Sequence, residues 1–108
     1  MTTESLVQSR IRVALSQAGC LVFRANCGKV RTADGRFFQT GLPNGFSDLF
    51  GFRKSDGRIF FIEVKNEVGR LREDQKRFLA AMKAAGAIVG VARSPEDALE
   101  IIREGKCL

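Results

Sequence analysis

The chain has 108 residues and a formal net charge of +6, from 18 Lys and Arg against 12 Asp and Glu, which fits one compact domain over residues 1–108 and invites a polyanionic partner. With 44% hydrophobic and 28% charged residues the composition is that of a folded protein, and no apolar run approaches the roughly 18 residues of a membrane span. The absence of His, Tyr and Trp excludes mechanisms built on a His base, a His metal ligand or a Tyr nucleophile, and leaves carboxylates, lysines, serines and three cysteines for chemistry.

Met1-Thr2-Thr3-Glu4 shows no basic region leading into an apolar stretch, so no secretory signal is expected. Leu6, Val7, Ile11, Ala14, Leu15 and Ala18 recur at helical spacing, with Thr2 or Thr3 to cap the start and Gly19 to end it. Cys20 to Ala25 reads as a strand. Val30 to Gln39 reads as a hairpin arm turned at Asp34-Gly35, and Gly41 to Gly45 as a loop. Asp48 to Arg53 is a second apolar strand, Lys54-Ser55-Asp56-Gly57 a turn, and Arg58 to Lys65 the strongest strand of the chain. A loop containing Gly69 leads to a helix from Arg72 to Ala85 that stops at Gly86, and Ile88 to Ala92 is another strand. Ser94 at the N-cap and Pro95 in the first turn open a last helix running to Glu104. This order predicts an α/β fold, a mixed central sheet flanked by helices. Cys20, Cys27 and Cys107 form no C-x-x-C pair, so zinc sites and redox dithiols are not expected. Cys20 reads as a buried inert thiol, and unpaired thiols fit a reducing, cytoplasmic compartment.

The sharpest anomaly lies in Ile59-Phe60-Phe61-Ile62-Glu63-Val64-Lys65. Side chains alternate along a strand, so Glu63 and Lys65 share a face with Ile59 and Phe61 at the end of a buried strand. Such charges must be paired, hydrated or metal-bound. With Ser55-Asp56 at the centre of the turn, Asp48 faces Glu63. With Asp56-Gly57 at the centre, it faces Lys65. Either register puts Asp48 on their face. Two carboxylates so close repel unless a positive group lies between them, and a hard divalent cation with oxygen ligands is one solution. An ion pair at a strand end is the simpler alternative. Gln75 falls on the apolar stripe of Leu71, Phe78, Leu79 and Met82, where an amide needs a partner. Glu4 stands at the front of the first helix, where the dipole favours a carboxylate regardless of any metal.

Asp48, Glu63-Val64-Lys65 and Gln75 in this order resemble the PD-(D/E)XK nuclease core. More specifically, Gly45-Phe46-Ser47-Asp48-Leu49, Glu63-Val64-Lys65, Gly69-Arg70-Leu71 and Gln75 resemble the VRR-NUC (virus-type replication-repair nuclease) domain over nearly the whole chain. Ser47 stands where the superfamily often has a proline that shapes the turn and does no chemistry. The resemblance implies a restriction-endonuclease-like core and a DNA phosphodiesterase dependent on Mg²⁺ or Mn²⁺, with no organic cofactor and no membrane partner. It implies that Asp48 and Glu63 hold the metal with the Val64 carbonyl, and that Lys65 positions water or offsets transition-state charge. Gln75 would orient the nucleophile or the phosphate, and Glu4 would ligate a second metal or its water. Standalone bacterial and phage members of this kind imply a homodimeric Holliday-junction resolvase.

Basic residues supply the binding side: Lys29, Arg31 and Arg36 on the arm, Arg53, Lys54 and Arg58 near the central turn, Arg70 and Arg72 beside the Glu63 loop. Phosphate contacts position a duplex without reading bases, and no base-reading helix is evident, so branched or structured DNA is the expected partner. Phe37, Phe38 and Phe46 fall outside the clearest strands and are candidates for a dimer interface, or complete a small core. A flap or restriction-type nuclease, a non-catalytic DNA-binding module and a small basic interaction protein are the competing readings.

Overall fold

The computed structural model describes residues 2–25, 29–31, 33–35, 37–39 and 41–104, excluding the side chains of 29–31, 37–39 and 104. Helix α1 spans Glu4–Gln17, and its N-cap Thr3 accepts the Leu6 N–H through Oγ1 at 3.2 Å. Val7, Ile11 and Leu15, spaced by four, make its buried stripe. Gly19 takes the left-handed conformation, φ 88°, that ends the helix and turns the chain into β1, Cys20–Arg24.

The arm is formed by β2, Lys29–Arg31, and β3, Phe37–Gln39, which pair antiparallel in a sheet of their own with Lys29 opposite Gln39. Gly35 between them has φ 86°, as a turn at Asp34-Gly35 requires. The remaining elements are β4 Leu49–Arg53, β5 Ile59–Val64, α2 Glu73–Ala84, β6 Ile88–Ala92 and α3 Pro95–Glu104. The main sheet runs β1-β4-β5-β6. Its first three strands are antiparallel, and β6 joins β5 in parallel after the α2 crossover. This is the mixed α/β sheet that the pattern predicts.

Strand β5 is central, and alternation sends its side chains to two cores. Phe60, Ile62 and Val64 pack with Leu49 against Val7, Ile11 and Leu15 of α1 and Ala98 and Ile102 of α3. Ile59 and Phe61 pack with Phe46 and Phe50 against Phe78, Leu79 and Met82 of α2. Both faces are covered at β5, so its apolar run is continuous rather than alternating. Phe46 is therefore a core residue and not free interface: its ring lies 4.6 Å from Phe78 and edge-on to Phe50 and Phe61 at 5.7 and 5.8 Å. Helix α2 leaves the β1–β4 half of its face open, where Leu21, Phe23 and Phe52 are 47%, 47% and 37% exposed. Cys20 is buried, which raises its thiol pKa, as expected of an inert thiol, while Cys27 and Cys107 lie outside the described residues. Among the described residues no helix is long and apolar enough to cross a membrane.

Candidate active site

Leu49 faces Ile62 and Phe52 faces Ile59, so the β4–β5 hairpin adopts the register with Ser55-Asp56 at the turn centre. The Arg53 N–H donates to the Arg58 carbonyl at 3.0 Å, and the Gly57 N–H to the Arg53 carbonyl at 2.7 Å. One step beyond Leu49 and Ile62, this register brings Asp48 opposite Glu63. Asp48 stands just before β4, and its side chain takes the place of a ladder partner: Oδ2 accepts the Val64 N–H at 2.8 Å. The N–H and C=O of a strand residue point to the same side, so the Val64 carbonyl also faces Asp48. The Lys65 N–H turns the other way, to the Ala92 carbonyl at 3.1 Å.

Glu63 is 1% exposed. Its Oε1 accepts from Gln75 Nε2 at 3.1 Å, while Gln75 Oε1 accepts the N–H of Arg72, the N-cap of α2, at 2.9 Å. The polar break in the α2 stripe thus orients Glu63 and closes the helix start at once. Glu63 Oε2 is buried and has no hydrogen-bond partner. Lys65, 6% exposed, brings Nζ only to 4.0 Å from Oε1. Burial, and then the Asp48 carboxylate, push the Glu63 carboxyl up to about 9 against the partial offset of Lys65 and Arg72. A buried carboxyl oxygen without a donor, opposite a second carboxyl, suits the binding of a cation. Among the described residues no three acidic or cysteine side chains converge, and the oxygens brought together here are those of Asp48, Glu63 and the Val64 carbonyl. That oxygen set suits a hard ion that keeps several waters, as Mg²⁺ does.

Two loops fix the walls. Gly45 has φ +85°, and a Cβ there would stand 2.3 Å from the Asp74 carbonyl oxygen, so the segment leading to Asp48 lies against the first turn of α2. Ser47, 1% exposed, ties the turn with Oγ donating to the Leu49 carbonyl at 2.9 Å. After Lys65, Asn66 Oδ1 accepts the Gly69 and Val68 N–H groups at 2.9 and 3.2 Å. Arg93 Nη1 donates to the carbonyls of Asn66 and Gly69 at 2.6 and 2.7 Å, and Glu67 Oε1 accepts the Thr2 N–H at 2.8 Å. Gly69 lies against two site residues: a Cβ on it would be 3.1 Å from Lys65 Cδ and 3.2 Å from Glu4 Oε2. Glu4 therefore approaches from the Lys65 side, without completing a three-carboxylate cluster with Asp48 and Glu63.

The VRR-NUC domain family model matches residues 3–96 of this sequence. The chain belongs to the VRR-NUC family. A solved structure described as a VRR_NUC domain superposes with a TM-score of 0.66 at 25% identity, covering 94% of this chain and 97% of that one. No curated protein matches the sequence. The fold is thus a nuclease-type fold with a restriction-endonuclease-like core, and Asp48, Glu63, Lys65 and Gln75 all fall inside the matched span.

Around this VRR-NUC site the basic residues divide. Arg70 is exposed beside the Gly69 loop, and Arg72 keeps 64% of its side chain exposed while Nε contacts Asp74 Oδ1 at 3.2 Å. Arg53, expected on the DNA-facing side, is instead buried. It is 8% exposed, its Nε and Nη2 are bound by Asp56, and its Nη1 donates to the Ile102 carbonyl at 2.7 Å. A guanidinium so held ties the hairpin turn to α3, and all three of its nitrogens are already engaged. Lys29 and Arg31 lie on β2, with side chains outside the described residues, and Arg36 lies outside them entirely. Sequence reasoning missed Asn66 and Arg93. Asn66 carries a local signal, an Asn three residues before a Gly, as in an Asx-type turn. Arg93 carries none, because its partners are 27 and 24 residues away.

Proposed function

We propose that this VRR-NUC domain is a metal-dependent, structure-selective DNA endonuclease that resolves Holliday junctions as a homodimer in the cytoplasm. The observation that supports it most is the buried, unpartnered Glu63 Oε2 facing Asp48. Asp48, Glu63 and the Val64 carbonyl would hold Mg²⁺ or Mn²⁺, with Glu4 reaching it through water. Such a cation, when bound, supplies an acidified water and offsets charge on the phosphate.

The chain's own groups do the rest. Gln75 pins Oε1 of Glu63 and so fixes where Oε2 points. Lys65 keeps an ammonium in a place almost closed to solvent, where charge developing on a phosphate is stabilised more strongly than in water. Arg70, Arg72 and the arm residues Lys29, Arg31 and Arg36 would follow the backbone of the DNA without reading bases. One copy of the domain holds one such site, so two incisions related by the symmetry of a four-way junction need two copies. The open apolar side chains Leu21, Phe23 and Phe52, with the Phe37-Phe38 arm, are the surface for that pairing now that Phe46 is assigned to the core.

Cleavage of matched four-way, flap and linear DNA with Mg²⁺, Mn²⁺ or EDTA tests the reading, together with light scattering at micromolar concentration. Paired, nearly symmetric, metal-dependent cuts by a dimer are expected. A monomer that prefers flaps would replace the resolvase assignment with a flap nuclease. Binding without cleavage in any metal would leave a DNA-binding module.

A further inference from the structure

We propose that Arg93 is a positioning residue of this site, holding the 66–69 loop so that Gly69 confines the Lys65 side chain beside Glu63. The proposal rests on the nuclease reading above. Lys65 has a flexible four-carbon stem and lies 4.0 Å from its carboxylate neighbour, beyond a direct hydrogen bond. Something other than Glu63 must therefore set where its ammonium sits. The wall against that stem is Gly69, where even a Cβ would come to 3.1 Å from Lys65 Cδ.

Gly69 is held by Arg93. Both bonds come from one nitrogen, Nη1, to Asn66 O and Gly69 O at 2.6 and 2.7 Å, so the two ends of the loop are drawn to one point. Charge-assisted bonds of this length are roughly twice as strong as neutral ones. The base of Arg93 is itself fixed. Its N–H donates to Asp97 Oδ2 at 3.0 Å, and the Asp97 N–H donates to Ser94 Oγ at 3.1 Å, at the start of α3. The preceding residue, Ala92, pairs with Val64 and accepts the Lys65 N–H. The backbone and the side-chain wall of Lys65 are thus both referred to the end of β6. Asn66 alone shapes the loop but does not anchor it to another element, whereas Arg93 does.

The full chain carrying Arg93→Ala or Arg93→Lys tests this, with single-turnover cleavage of DNA in Mg²⁺, DNA affinity across salt, melting temperature and amide exchange. A displacement of about 1 Å at a catalytic group can cost about a hundredfold in rate. Arg93→Ala should lower kcat by about ten- to a hundredfold while KM and DNA affinity change less than about twofold. Arg93→Lys, which keeps a cation able to reach a carbonyl, should restore part of kcat. The Gly69 amide, protected by Asn66, should exchange faster in Arg93→Ala. Gly69→Ala, which crowds Lys65 without touching Arg93, should lower kcat in the same way. An unchanged kcat in Arg93→Ala, or a loss confined to KM with a shallower salt dependence, would overturn the proposal and make Arg93 inert or a phosphate contact. A wild-type chain that cleaves no DNA would remove the nuclease reading itself, and an active wild type beside an indifferent Arg93→Ala would remove only the role of Arg93.

Discussion

The β4–β5 hairpin buries a charged side chain at each end. Arg53 at the turn is 8% exposed and Glu63 at the open end is 1% exposed. Arg53 is satisfied: Asp56 takes two of its nitrogens, and the Ile102 carbonyl accepts a third at 2.7 Å. Glu63 is not: Oε1 has Gln75, Oε2 has no donor, and the group across the strands is a second carboxyl, Asp48, which with burial drives Glu63 towards its neutral form. Burial is nearly the same, and the energetics are opposite. A buried charge with all its partners locks a fold, whereas a buried group left short of them is held in place by the surrounding structure at a cost in stability, which is the pattern expected of a site for chemistry.

If that difference is one of structure against chemistry, the two ends respond oppositely to substitution. Glu63→Gln and Asp48→Ala should each reduce cleavage on the order of a thousandfold or more. Glu63→Gln should leave the melting temperature of metal-free protein near that of wild type, because it replaces a carboxyl that burial already keeps neutral, whereas Asp48→Ala should lower it, because the Val64 N–H loses its acceptor. Lys65→Ala should slow the chemical step by about a hundredfold at unchanged DNA affinity. At the other end, Arg53→Met should cost about 2 kcal/mol of stability, since it leaves the Ile102 carbonyl short of its donor. Cleavage per folded molecule should stay as in wild type. Denaturant unfolding and single-turnover assays on the same preparations read both numbers. Strong cleavage by Glu63→Gln, or loss of cleavage in fully folded Arg53→Met, would break the distinction.

Acid and base should separate the ends next. In the metal-free chain the Glu63 carboxyl is pushed up to about 9, chiefly by burial and then by Asp48, from an ordinary value of 4.5. Between those values the folded chain keeps a proton that the unfolded chain releases. Stability from this end is therefore complete below about 4.5 and is lost as pH rises towards 9, with a slope of at most about 1.4 kcal/mol per pH unit. Asp56 behaves in the reverse sense. Its hydrogen bond to Arg53, and then the Arg58 N–H, hold its carboxyl below 3.8, so its contribution is present above that value and is lost on further acidification. Melting in EDTA from pH 5.5 to 8.5 should show a decline that Glu63→Gln abolishes and Arg53→Met leaves in place. Added Mg²⁺ should flatten the decline by replacing the proton. A decline that persists in Glu63→Gln would assign the effect to another group.

The same hairpin shows how far the sequence could be read. Its strands were legible because five apolar residues, Ile59 to Ile62 and Val64, make a run that fits a strand covered on both faces, and β6 follows its apolar run, Ile88 to Ala92. The candidate site stood out as a carboxylate, a lysine and a glutamine placed where apolar side chains belong. The register was not, because two turn centres satisfy the same alternation, and backbone bonds around Gly57 decide between them. Arg53 looked like surface charge because it borders a turn, but its decisive partner, Ile102, is 49 residues away. Phe46 looked like free apolar area because it sits in a loop. Phe78, which covers it, is on the next helix after the site and not near in sequence. Errors of this kind are all long-range packing, which no local pattern encodes.

The finest separation is in DNA binding, where Arg53 and Arg70 carry the same charge and differ only in access. Arg70 is exposed, and among the described residues it makes no hydrogen bond or ion pair, while Arg53 is enclosed. Each phosphate neutralised on duplex DNA contributes about 0.9 to the slope of log affinity against log salt concentration. Arg70→Ala should therefore weaken binding a few-fold at low salt and make that slope shallower by about 0.9. Arg53→Met, measured where it is fully folded, should leave affinity and slope unchanged although it removes the same unit of net charge. Fluorescence anisotropy on a labelled junction, in metal-free buffer across a salt series, resolves a difference of this size. Equal effects from the two variants would mean that binding follows net charge rather than a defined phosphate-facing surface. A slope changed only by Arg70→Ala ties the DNA to the loop beside Glu63 and Lys65, where the proposed chemistry needs it.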